Sequence, residues 1–109
     1  MQKIIGNNIT LTRGDTFKAT VTMTTEDGSA YTPESGDVIR FAMKRSYGDA
    51  EPLITKTLDH ASMLLQLDPA DTKELSYGDY VYDIELTYEN GDVDTFIDKA
   101  KLTLTEEVD

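Results

Sequence analysis

Residues 67–86, LDPADTKELSYGDYVYDIEL, constrain the fold of this chain more than any other stretch. Asp68 stands where a helix cap belongs, and Pro69 occupies the first helical position, where its missing N–H costs nothing. The spacing predicts a single capped helical turn, then Gly78, then a long strand. On that strand Tyr80, Tyr82, Ile84, Leu86 and Tyr88 share one face, while Val81, Asp83, Glu85 and Thr87 share the other. A helical turn feeding an aromatic strand start is a corner between two sheets.

The same period-two pattern recurs along the chain. Ile9 to Leu11 is a short apolar segment that ends at Arg13-Gly14-Asp15. Thr16 to Met23 places Phe17, Ala19, Val21 and Met23 on one face. Val38 to Arg45 does so with Ile39, Phe41 and Met43. Leu53 to Leu58 is weaker, threonine-rich and interrupted by Lys56, which suits a sheet edge. Met63, Leu65 and Leu67 return to the core.

Asn90-Gly91 predicts a two-residue type I′ hairpin, because both central positions of that turn need positive φ. Such a turn pairs Glu89 with Asp92, Tyr88 with Val93, Leu86 with Thr95 and Ile84 with Ile97. Beyond Asp98 the apolar residues Ala100, Leu102 and Leu104 have the opposite parity. One extra residue near Asp98-Lys99 restores the match, pairing Tyr82 with Ala100 and Tyr80 with Leu102, so a β-bulge is expected there.

Turns recur about every ten residues and no long crossover helix separates the strands. The expectation is one domain, residues 1–109. Its fold would be an all-β, immunoglobulin-like antiparallel β-sandwich of seven to eight strands with one short helical turn. Its expected core is Phe17, Val21, Ile39, Phe41, Leu65, Leu67, Tyr82, Ile84, Leu86, Leu102 and Leu104. A chain of 109 residues buries roughly two-thirds of its unfolded surface, enough for one core without staples.

Without cysteine, neither a disulfide framework nor a thiolate metal site can form. The net charge of −11 repels phosphate backbones and anionic lipid, so neither nucleic acid nor a membrane is an expected partner. Met1 to Gly6 is too short in apolar residues for a signal peptide, and no stretch is long enough to span a bilayer.

Candidate chemistry is sparse. His60 lies in Leu58-Asp59-His60-Ala61-Ser62, where Asp59 and Ser62 are too close in sequence to line up as a triad. Asp83, Glu85, Asp92 and Asp94 offer oxygens for calcium, but the Glu89–Asp94 run departs from EF-hand spacing and a sheet face spreads carboxylates apart. Arg13-Gly14-Asp15 reads as a structural turn. Tyr31, Tyr47 and Tyr77 fall in loops, where tyrosines can stack on sugars or anchor a protein contact. No catalytic, cofactor or metal residue is therefore assigned.

Three segments together carry a resemblance: Ile9-Thr10-Leu11-Thr12-Arg13-Gly14-Asp15-Thr16, Asp37-Val38-Ile39-Arg40-Phe41-Ala42-Met43-Lys44, and Leu75-Ser76-Tyr77-Gly78-Asp79-Tyr80-Val81-Tyr82-Asp83-Ile84. In these the chain resembles the N-terminal immunoglobulin-like domain of phage baseplate upper proteins and small prophage structural proteins of Gram-positive bacteria. The resemblance implies a non-enzymatic virion part that docks onto other tail or baseplate proteins, with homo-oligomerisation an option. It implies a protein made in the cytoplasm and then built into a virion. The chain departs from the family in ending at Thr105-Glu106-Glu107-Val108-Asp109 with no stalk or receptor-binding domain, so a small standalone component, or the domain alone, is expected. A carbohydrate-binding or adhesin-type β-sandwich module is the alternative reading.

Overall fold

The structure is a computed structural model describing residues 2–5, 7–24 and 28–106, with residues 2–5 and 97–99 described by backbone alone. The chain folds as an all-β sandwich. Its strands are β1 (Gln2–Ile5), β2 (Asn8–Thr12), β3 (Phe17–Thr20), β4 (Met23–Thr24), β5 (Ala30–Tyr31), β6 (Val38–Lys44), β7 (Ile54–Leu58), β8 (Leu64–Leu67), β9 (Gly78–Thr87) and β10 (Val93–Thr105). One short helix, α1 (Pro69–Thr72), precedes β9.

One layer is a six-stranded sheet in the order β1-β2-β10-β9-β6-β7. Against it lie the two-stranded β3–β8 sheet and the small β4–β5 ribbon. The expected antiparallel sandwich needs one amendment, because β2 runs parallel to β10. Ten strands replace the seven or eight expected, among the described residues. The additions are β1, which pairs with β2, the splitting of Thr16–Met23, and β5. The Thr16–Met23 segment leaves the ladder with β8 after Val21 and pairs Met23 with Tyr31 instead.

Alternation sets the core. Ile39, Phe41 and Met43 of β6, and Tyr80, Tyr82, Ile84 and Leu86 of β9, are buried against Phe17, Leu65 and Leu67 of the opposing layer. Each such side chain contributes roughly 1.5–3 kcal/mol through the apolar surface it removes from water. Every expected core residue is buried except Val21, which is half-buried against the cluster. The Phe41 and Tyr82 rings meet at 5.3 Å.

The corner forms as the sequence leads one to expect. Pro69 opens α1, and the Asp71 carboxylate accepts the Asp68 N–H at 2.7 Å. Gly78 then starts β9 at φ 125. The Tyr80 hydroxyl donates back to the Ser76 carbonyl at 2.6 Å, which fixes the turn to the strand it feeds.

The hairpin is partly as expected. The bulge at Asp98-Lys99 is present: between the pairs Ile97–Ile84 and Ala100–Tyr82, β10 advances one residue more than β9. The turn itself is different. Tyr88 N–H donates to Asp92 O and Gly91 N–H to Tyr88 O, both at 2.8 Å, so Glu89, Asn90 and Gly91 form a three-residue loop. Only Gly91 takes positive φ, at 96. The Asn90 side-chain oxygen accepts the Asp92 N–H at 2.9 Å, a local bond that favours this closure over the two-residue turn. Near the turn every pair therefore moves by one: Val93 faces Thr87, and Leu86 faces Asp94 rather than Thr95. Phe96, an extra residue between the Thr95–Glu85 and Ile97–Ile84 pairs, brings the register back.

Candidate functional site

The Arg13-Gly14-Asp15 tripeptide is used inside the fold. Gly14 takes φ 84, and its N–H donates to the Oγ1 of Thr72, a fully buried residue of α1, at 2.9 Å. Arg13 donates through Nη1 to the Leu75 carbonyl at 3.1 Å and lays its guanidinium 4.2 Å over the Tyr77 ring. Such a stacked cation is held by the ring quadrupole and by its hydrogen bond together. The turn between β2 and β3 is thereby fastened to the corner before β9.

His60 stands in a turn that Asp59 closes on itself. The Asp59 carboxylate accepts the backbone N–H groups of Ser62 at 2.9 Å and Ala61 at 3.1 Å, which pull its pKa below the usual carboxylate range. Those bonds direct Asp59 at the backbone rather than at His60.

The acidic residues of β9 and the hairpin do not gather. Asp94 accepts the Tyr88 hydroxyl at 2.8 Å, and Asp92 contacts Asn90 within the loop. Asp83 and Glu85 lie opposite Ala42 and Arg40 of β6. Among the described residues, no three His, Cys, Asp or Glu side chains converge in a way that could hold a metal ion.

Of the tyrosines expected in loops, Tyr47 and Tyr77 lie in them, whereas Tyr31 stands in β5, paired with Met23. Tyr47 is exposed beside a shallow depression on the outer face of the large sheet, with Ala42, Lys44, Val81 and Asp83 around it. Tyr77 carries Arg13, as described. Tyr31 packs with Tyr88 at 5.8 Å and stacks with Phe96 at 6.2 Å, where the bulge in β10 places it. Its hydroxyl donates to Asp37 at 2.6 Å. That bond, helped by burial, pushes the Tyr31 pKa up to about 12, and the same bond, with the Glu34 N–H, draws the Asp37 carboxyl down against its own burial. The phenols of Tyr31 and Tyr88 are thus both spent on carboxylates within the molecule.

Strand edges remain. The expectation that Leu53–Leu58 forms an edge holds, since β7 ends the large sheet. Lys56 faces inward on it, opposite Phe41 and between buried Ile54 and Leu58. Its Nζ reaches Asp71 of α1 at 2.8 Å. Partial burial raises the Asp71 pKa, but Lys56 and the Asp68 N–H together hold it below its ordinary value. An inward charge of this kind blunts an edge against pairing.

β3 has no such guard. Among the described residues it pairs with β8 alone, while β8 in turn lies beside β7. Val21 N–H donates to Met63 O at 2.8 Å, continuing the β3–β8 ladder. Because ladder bonds alternate, residues 17, 19 and 21 face β8 and the amides of Lys18 and Thr20 point outward. Beneath that edge a groove of about 240 Å³ opens between the layers, lined mainly by apolar residues such as Ile9, Val21 and Ile84, with Asn7, Thr20 and Thr22 beside them. Tyr82 reaches across its floor to donate to the Asn7 carbonyl, and burial pushes the Tyr82 pKa up to about 12. The period-two pattern marks Ala19 and Val21 as inward, but no sequence signal says that the neighbouring lane is empty. No family model, curated protein or solved structure matches the chain.

Proposed function

We propose that this chain is a non-enzymatic structural protein of a phage or prophage tail or baseplate, working through contacts with other proteins. The observation that supports this most is the open β3 edge above an apolar groove. An unpaired strand edge offers main-chain hydrogen bonds to a partner, and a groove beneath it offers side-chain pockets. The resemblance of the β2, β6 and β9 segments to baseplate domains supplies the setting. The carbohydrate-binding alternative draws less support, because two of the three tyrosines expected to stack on a sugar are engaged within the molecule: Tyr31 donates to Asp37 and Tyr77 carries the Arg13 guanidinium.

The test is a pull-down with the tagged chain from cells in which the prophage has been induced. Tail or baseplate proteins should be recovered in stoichiometric amount. Their absence, together with selective retention on a glycan array, would replace this reading with the carbohydrate-binding one.

A further inference from the structure

The charge of this protein is unevenly distributed along its sequence. Residues 1–25, which supply β1 to β4, hold one acid, Asp15, against Lys3, Arg13 and Lys18, a net of +2. The remaining 84 residues hold twenty acids and seven cations, a net of −13. The open edge lies in the acid-poor quarter. From Thr16 to Thr24 there is no carboxylate, and Lys18 is exposed on the rim.

Three separate features coincide at β3. The Lys18 and Thr20 backbone groups point away from β8. Ala19 and Val21 are half-buried at the lip of an apolar groove. The strand's own charge is positive on a molecule of net charge −11. We propose that the β3 edge is a docking lane for an extended segment of another protein, one with apolar residues at alternate positions and acidic residues between them. The inference rests on the reading of this chain as a protein-contact module and names the lane and the chemistry of what fills it.

Each feature selects part of that chemistry. The outward amides and carbonyls of β3 require an extended backbone, since only a strand presents matching groups at this spacing. A strand laid beside β3 directs every second side chain inward. Those side chains would meet Ile9, Val21 and Ile84, against which apolar groups are favoured over polar ones. The alternate side chains face solvent beside Lys18. There the Lys18 ammonium attracts a carboxylate and repels another ammonium. A second copy of this chain would bring a further charge of −11, which disfavours it as the occupant.

The experiment uses three synthetic heptapeptides and the whole chain. One peptide is Val-Asp-Val-Ser-Val-Asp-Val. The second replaces Asp by Lys. The third has the composition of the first with its four valines contiguous. Binding is followed by backbone amide NMR and by hydrogen exchange. The acidic alternating peptide should slow exchange at the Lys18 and Thr20 amides and shift Ala19, Val21 and Ile84. The lysine and contiguous peptides should bind at least tenfold more weakly. Thr20→Pro removes only an outward N–H, so it should weaken binding tenfold or more while β3 stays paired with β8. Lys18→Glu should weaken binding several-fold, and it serves if the proline variant fails to fold.

Equal binding of the three peptides would overturn the proposal. So would shifts confined to β7 or the loop tyrosines, or no shift at millimolar peptide. Protection of the Lys18 and Thr20 amides that grows with protein concentration, without peptide, would make a second copy the occupant and overturn the choice of a different protein. Peptide binding at β3 with an empty pull-down would sink the tail assignment and leave the docking lane standing.

Discussion

The two sides of the sandwich treat an exposed strand differently. β7 closes the large sheet and turns a lysine inward, tied to Asp71 of α1. β3 closes the small layer with alanine and valine at its lip and a groove below. Both strands are short and each carries a single lysine. What separates them is where a charge sits relative to the core. An ammonium on the inward face must either keep its carboxylate or enter apolar surroundings when a new strand arrives. A lysine on the outward face, as at position 18, imposes no such condition. Exposure of a strand is therefore a poor guide to its stickiness, and the parity of its charged residue is a better one.

The comparison assumes that both edges belong to one cooperative unit. Phe41 is fully buried at the centre and packs on Tyr82, whose other side lines the groove. Phe41→Ala should lower the stability of the whole domain by about 3–5 kcal/mol in a single transition. Two separated transitions in urea, with the β3–β8 layer melting first, would break the comparison at its root.

A smaller effect sharpens it. Lys56→Met should cost no more than about 1 kcal/mol, since the Lys56–Asp71 pair is partly exposed. It should nevertheless make β7 adhesive, raising self-association in sedimentation while leaving the β3 amides unchanged. A variant that stays monomeric at high concentration would show that the inward lysine is not what protects this edge.

The smallest effect is electrostatic. Asp71 has a depressed pKa, so its contribution to stability is present above the ordinary carboxylate value and is lost as pH falls through the folded value. In Lys56→Met the burial of Asp71 is opposed only by the Asp68 N–H, and the carboxyl pKa should move upward in a carbon-detected NMR titration. An unmoved midpoint would mean that the ion pair contributes nothing to this edge.

Much of the sandwich was legible because alternation is a strict code. Tyr80 to Leu86 and Ile39 to Met43 each announce a face, and a parity conflict at Asp98-Lys99 announces its own remedy. Where a single local bond decides the outcome, parity cannot help. The Asn90 side chain chooses a three-residue loop, and Phe96 then has to compensate for it. Partners distant in sequence were equally hidden: Ile9 lies beside Leu102 in the parallel pair, and nothing in either segment names the other. β1 escaped notice because four residues are too few to show a period. Among the site features, Asp59 and Asp37 gave no warning that turn amides and a phenol would occupy them. The groove was invisible for a different reason. It exists because β3, among the described residues, has a partner on one side only, and no single segment of a sequence records that.

The double irregularity of β10 bears on how this chain could vary. The strand holds three frames of register: a surplus residue at Phe96 separates the first two, and another, at Asp98-Lys99, separates the last two. Loss of the latter would turn Leu102 and Leu104 toward water and slide β10 along β2 as well as β9. Loss of one residue at the Phe96 bulge could be absorbed at the hairpin tip, a few positions away, by conversion to a shorter loop. Length changes should therefore accumulate near residues 89–96 among descendants of this sequence and be purged around residues 98–99. A strand that looks like one continuous element would then carry a tolerant half and an intolerant half, divided by the register that its neighbours impose.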